Sequence, residues 1–200
     1  AAVEASCAAA SQRDWYDANP GGENVALQLR AYGEIAREIY DDLRDAPAAV
    51  AIPVSNGTLL AGVYRGFQSL LRRGKTSRMP CMVAGSTYRK NPIIAAFLSG
   101  ADQCTDLDPA RIRETGINEP LVNWHAIDGD LALSGIRASE GWADYASDRA
   151  LSRYSRWLRE TQGLSVLPAS TAGLHALLAK HARDPLPADR YVAVLTGRKV

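Results

Sequence analysis

Apolar residues recur along this chain at two different periods, and the change of period falls at turn residues. Between Asn24 and Leu43 the residues Leu29, Tyr32, Ile35, Ala36, Ile39, Tyr40 and Leu43 lie three or four apart, which predicts an amphipathic helix ended by Asp45-Ala46-Pro47. Ala48 to Val54 is short and continuously apolar, as a strand covered on both faces is. Pro53 is tolerable there because it sits near the strand's end. Ser55-Asn56-Gly57 turns the chain into a helix from Thr58 to about Arg73, with Leu59, Leu60, Val63, Phe67, Leu70 and Leu71 on one side and Gly74 as its cap. Met79 to Ala84 predicts a second buried strand. Asn91-Pro92 then starts a helix that stops at Gly100. Cys104 to Glu119 reads as loop with a helical turn.

Further on, Leu131–Arg137 reads as helix and Trp142–Tyr145 as strand. Ser147 reads as the N-cap of a helix from Asp148 to Gln162, which Gly163 caps. Leu164–Leu167 is predicted as a short strand, Ser170 as the N-cap of a helix from Ala172 to about His181, and Tyr191–Leu195 as the last strand. Strands alternating with helices over short connections predict an α/β fold, a three-layer, mostly parallel sheet. Residues 1–13 read as helix on alanine propensity, broken by the turn cluster from Asp17 to Gly22. The chain opens Ala1-Ala2-Val3-Glu4 with neither an initiator methionine nor a signal-peptide pattern. The expectation is therefore a piece of a longer polypeptide, or one product of a cleavage.

Composition narrows the classes. The net charge is +1, with 46% hydrophobic and 22% charged residues, which is no electrostatic footprint for nucleic acid. No apolar run reaches the ~18–20 residues that span a bilayer, so no membrane partner is expected. The three cysteines, Cys7, Cys81 and Cys104, are widely spaced without a CxxC pair, which fits reduced thiols and a cytoplasmic location. The three histidines form no metal-ligand motif; His175 and His181 fall on a late helix as surface or packing residues.

Two segments carry candidate chemistry. Ser55-Asn56-Gly57-Thr58-Leu59 lies between a predicted strand and a predicted helix. The first N–H groups of a helix lack internal partners and its dipole is positive at that end, so a phosphate fits there. Gly57 permits a left-handed backbone and close approach, and the hydroxyls of Ser55 and Thr58 and the amide of Asn56 can add donors. The loop is neither a Walker loop nor a GxGxxG turn. The second segment, Gly163-Leu164-Ser165-Val166-Leu167-Pro168-Ala169-Ser170-Thr171-Ala172, puts a small hydroxyl where a strand meets a helix.

In that order and separation, the two segments resemble the fold-type II pyridoxal-phosphate (PLP) enzymes, which include threonine synthase, the serine and threonine dehydratases, cysteine synthase and the tryptophan synthase β chain. The closing Thr196-Gly197-Arg198 and the loop Asp17-Ala18-Asn19-Pro20 are similar to the family's tail and return loop, with the threonine-synthase-like branch the best fit. The resemblance implies that Ser55, Asn56, Gly57, Thr58 and Leu59 hold the cofactor phosphate and that Ser170 hydrogen-bonds the pyridine nitrogen. It implies a small-domain remnant at 1–22 and a large PLP-binding domain at 23–200. A neutral hydroxyl at the ring nitrogen goes, in this family, with β- or γ-elimination or replacement on an amino-acid substrate.

The family's Schiff-base lysine lies in a motif like [ST]-x-K-[DN]-R, and this chain has only Lys75, Lys90, Lys180 and Lys199, all in surface-like contexts. No catalytic residue is therefore assigned within the chain. The implied partner is an amino-terminal segment or chain that carries the lysine, and the implied assembly is a homodimer. The alternative is a scaffold or regulatory homologue that kept the fold without the chemistry. Glu119, Asn123, His125 and Arg198 are further candidates for substrate contact.

Overall fold

The computed structural model describes residues 2–13, 15 and 24–198, the side chains of 2–4, 7 and 11 excepted. The expected turn at 17–22, the expected boundary between 22 and 23, and Lys199 lie outside the described residues. The elements run α1 (Ala2–Gln12), α2 (Val25–Leu43), β1 (Ala49–Pro53), α3 (Thr58–Arg72), β2 (Cys81–Thr87), α4 (Pro92–Ser99), α5 (Gly129–Ala138), β3 (Trp142–Ala146), α6 (Asp148–Gln162), α7 (Ala172–Arg183) and β4 (Tyr191–Ala193). The strands form one sheet in the order β3-β2-β1-β4, and every pairing is parallel.

Strand alternation sorts the core into two layers. Val50 and Ile52 of β1 and Met82 and Ala84 of β2 join Leu60, Val63 and Phe67 of α3, Ile93 and Ile94 of α4 and Ile136 of α5. On the opposite face Ala49, Ala51 and Val83 meet Ala176 and Leu177 of α7. Each fully buried Ile, Leu or Phe here stabilises the fold by about 1.5–3 kcal/mol. The second face is small for a reason. A Cβ on Gly173 would come within 2.5 Å of Ile52 N, and one on Gly85 within 1.9 Å of Ala172 O. Glycines at these two positions let α7 lie almost on the sheet.

Three expectations need correction. Residues 164–167 are not a strand of the sheet: Val166 makes a single antiparallel bridge to Arg198, too short a partner segment to extend a ladder. Ser170 is not an N-cap, because it lies inside a 3-10 turn, Pro168–Thr171, that precedes α7. The second strand runs from Cys81 to Thr87, past the Ala84 at which apolar content stops, because its hydrogen-bond partners in β3 continue to Ala146. The other strand and helix expectations hold to within a few residues. Asn91 caps α4 by accepting from the N–H groups of Ile93 and Ile94, and Ser147 caps α6 through Ala150 N–H.

Candidate cofactor site

The chain passes from β1 to β2 to β3 in one direction, and β4 then pairs on the other side of β1. In open parallel sheets a crevice forms beyond the carboxyl ends of the strands where the order reverses. Here a cavity of ≈ 600 Å³ opens at that point, lined by Pro53 at the end of β1, Val54 after it, and Val194 to Gly197 after β4. Ser55, Asn56, Gly57, Thr58, Leu59 and Ser170 all line it. The two segments singled out by sequence, more than a hundred residues apart in the chain, thus face one space.

The loop at the head of α3 is held from three sides. Gly57 has φ 95°, the left-handed conformation that favours glycine, and serves as N-cap with no side chain to occupy the helix's first N–H groups. Asn91, fully buried, donates from Nδ2 to Ser55 O at 2.9 Å and to Val54 O at 3.3 Å. Asn123 Nδ2 donates to Asn56 Oδ1 at 2.6 Å, which turns the Asn56 amide nitrogen away from that contact and leaves its protons to other acceptors. Thr58 Oγ1 donates to Asp128 Oδ2 at 2.5 Å, so the hydroxyl proton that sequence offered to a phosphate is committed elsewhere.

Ser170 is placed by the corner between α6 and α7. Gly163, at φ 67°, ends α6, and the following segment is held by Ser155 Oγ donating to Val166 O at 2.7 Å and Leu167 N–H donating to Gly197 O at 3.0 Å. Pro168 opens the turn, and Thr171 ties it to α6 by donating to Leu151 O at 3.2 Å. Ser170 is 2% exposed and donates a long bond, 3.3 Å, to Gly197 O. The terminal Thr196-Gly197 is thereby a wall of the cavity.

Other candidates stand outside this space. Glu119 and His125 are not among the described residues lining it, and His125 instead pairs with Asp106 at 2.8 Å. Arg198 is exposed at the Val166 bridge. Lys75 is exposed, Lys90 donates to Arg113 O, and Lys180 pairs with Asp184 at 2.6 Å; none of the three lines the cavity. Sequence reading missed Gln28 and Tyr32, one helical turn apart on α2, both in the lining. Nothing in a surface-facing helix period signals that they meet a loop from α3.

The donor set fits a PLP-sized ligand. No Asp, Glu, Lys, Arg or His is among the described residues lining the cavity. An anion there is met by backbone N–H groups and a helix dipole instead. Gln28 Oε1 is buried in the structure without a hydrogen-bond partner, an orphan that a bound polar group would satisfy. A parallel sheet, a glycine loop at a helix head and a neutral hydroxyl across one cavity define the fold-type II class of PLP-dependent enzymes.

Comparison with known proteins agrees. Residues 1–197 match the family described as pyridoxal-phosphate dependent enzyme, and the chain belongs to that family. It is 29% identical over 175 residues to threonine synthase of Methanocaldococcus jannaschii, an alignment covering 86% of this chain and 42% of the relative. Threonine synthase of Methanosarcina acetivorans is 29% identical over 151 residues, 75% of this chain and 36% of the relative. The solved structure of a fungal L-serine ammonia-lyase from Rhizomucor miehei superposes with a TM-score of 0.67 at 24% identity over 86% of this chain and 52% of that one. The chain therefore spans about two fifths of the length of these curated relatives.

Proposed function

We propose that this chain is the cofactor-phosphate and ring-nitrogen part of a threonine-synthase-like PLP lyase or synthase that acts on an amino acid by β- or γ-elimination or replacement. The observation that carries this reading is that the head of α3 and Ser170 line one cavity. Ser55 to Leu59 would anchor the phosphate through the first N–H groups of α3 and the Asn56 amide. Ser170 would meet the pyridine nitrogen. Bound there, the cofactor supplies an electron sink for charge developing at the substrate's α-carbon.

The chain's own groups define what the site can do. Ser170 has one hydroxyl proton, now on a 3.3 Å bond that is weak enough to be redirected to an acceptor nitrogen. A neutral hydroxyl leaves that nitrogen largely unprotonated, which suits elimination and replacement. Ile35, Leu59, Leu121, Leu167 and Val194 supply apolar lining that would shield a bound ring from water. A proton-transfer base is absent from the described lining, and Lys75, Lys90 and Lys180 are tied down or exposed away from it. The reading therefore assigns that base to a lysine on an amino-terminal segment or another chain, within a homodimeric, cytoplasmic enzyme. Residues 23–200 are proposed as the large domain and 1–22 as the small-domain remnant.

Borohydride trapping tests this. The isolated chain incubated with PLP and reduced is expected to carry no covalent cofactor by intact mass. The enzyme that includes the lysine-bearing segment is expected to carry one cofactor, on that lysine. Reduction onto Lys75, Lys90, Lys180 or Lys199, or no adduct in either preparation, would sink the reading.

A further inference from the structure

The loop at the head of α3 lies against the start of α5, where Asp128 makes hydrogen bonds to it and Ala132 packs beside Gly57. Asp128 is 4% exposed and immediately precedes α5. Its carboxylate accepts from Thr58 Oγ1 at 2.5 Å, its N–H donates to Asn56 O at 3.0 Å, and its carbonyl oxygen lies 2.7 Å from where a Cβ on Gly57 would be. Asn56 and Thr58 are thus each hydrogen-bonded to Asp128, and Gly57 between them lies against its carbonyl. Asp128 itself is not among the cavity's lining residues, whereas those three are.

A buried carboxylate is costly unless it is hydrogen-bonded. Among the described residues no Lys, Arg or His pairs with Asp128, so Thr58 supplies its charge-assisted bond, and the positive end of α5 lies beside it. That bond has a consequence in the cavity. Thr58 has a single hydroxyl proton, and it is donated in the hydrogen bond to Asp128. The cradle then consists of backbone N–H groups, the Asn56 amide and Ser55. Its N–H directions depend on the backbone of residues 56–58 staying where Asp128 holds them.

We propose that Asp128 is the positioning residue of the phosphate cradle: it orients the Asn56–Thr58 backbone from behind and withdraws the Thr58 hydroxyl from the anion. The inference rests on the cofactor reading above and deepens it. A residue that acts in this way governs affinity for the phosphate and leaves affinity for the ring unchanged. A residue that only supports the fold alters both together.

The test measures equilibrium affinity for PLP and for pyridoxal, which lacks the phosphate, in the enzyme that includes the lysine-bearing segment. Asp128→Ala is expected to reduce the preference for PLP over pyridoxal by about tenfold or more, the loss of one charge-assisted bond and the order it imposes. Asp128→Asn keeps an acceptor for Thr58 and is expected to stay within about threefold of wild type. The ³¹P resonance of the bound cofactor is expected to move in Asp128→Ala and to return in Asp128→Asn. Should Asp128→Ala fail to fold, Thr58→Val, which removes the shared proton, is expected to lose the same preference, and Thr58→Ser to keep it. An unchanged preference in Asp128→Ala or Thr58→Val, or an equal loss for PLP and pyridoxal, overturns the proposal. A wild-type enzyme that shows no preference for PLP overturns the cofactor reading itself.

Discussion

Gly57 concentrates several demands on one position. Its φ of 95° costs any L-residue about 1–2 kcal/mol, and its missing side chain leaves room for the Asp128 carbonyl. Gly57→Ala is expected to lower stability by about 2 kcal/mol or more and to weaken cofactor retention further, because relief of the 2.7 Å contact must move the loop or α5. Denaturant unfolding and PLP titration check the two effects separately; a variant with wild-type values for both would remove the strain argument. Asn91 was legible as a cap from Asn-Pro, since a cap is a local feature. Its second role, donating to Val54 O and Ser55 O, was not, because those carbonyls lie in the loop after β1, 37 and 36 residues away. Asn123 followed the same rule: the sequence marked it as a candidate for substrate contact, and in the structure it is outside the described cavity lining and donates to Asn56 instead.

At the scale of elements, the strands are pinned at the end opposite the cavity by exposed carboxylates. Asp45 accepts from Ser77 Oγ and N–H and from Ala46 N–H, and these bonds hold its pKa down from 3.8 to about 2. Asp189 is held down to about 2 by the Arg78 guanidinium, which also donates to Ala46 O, and by Arg190 N–H. A carboxylate with a depressed folded pKa binds fewer protons than in the unfolded chain between those values. Its contribution is therefore complete above about pH 4 and is lost as pH falls toward 2. Asp189→Asn is expected to lower stability above about pH 4 and to converge on the wild type as pH falls toward 2, which flattens the acid limb, as thermal melts from neutral pH to about pH 2 will measure. An undiminished acid limb in both Asp189→Asn and Asp45→Asn would refute the assignment.

The elements also separate local signals from tertiary ones. α4 and α6 carry their caps in sequence, Asn91 with Gly100 and Ser147 with Gly163, and were legible to within a residue or so. Residues 164–167 have strand composition, but a strand needs a partner of matching length. Here Val166 finds only Arg198, and Leu167 finds the Gly197 carbonyl. Ser170 lines the cavity, and it was misassigned as a cap, since a 3-10 turn opened by Pro168 has the same Ser/Thr-before-helix signature.

Across the whole molecule, the cavity exists because three layers come close at one end of the sheet. α7 lies close against the sheet because Gly173 and Gly85 carry no side chains, and it is tethered by Trp142 Nε1 donating to Ala176 O at 3.1 Å and by Arg183 pairing with Asp144 at 2.8 Å. Gly173→Val is expected to push α7 outward and carry the Ser170 turn with it. Core overpacking of this kind costs about 1–3 kcal/mol, so a lower melting temperature is expected together with weaker affinity for pyridoxal as well as for PLP. Loss of PLP affinity alone would show that α7 does not set the ring end of the site.

The sequence by itself determined the layer pattern, most of the helix caps and, as candidates, the two segments that line the cavity, because periodicity, capping and glycine turns act over a few residues. The tertiary structure alone decided that β4 returns beside β1, that Gln28 and Tyr32 join the lining, and that Asp128 accepts the Thr58 hydrogen bond. Those are contacts between residues far apart in the chain. Their energies come from pairing and close packing, for which neither composition nor spacing leaves a local trace.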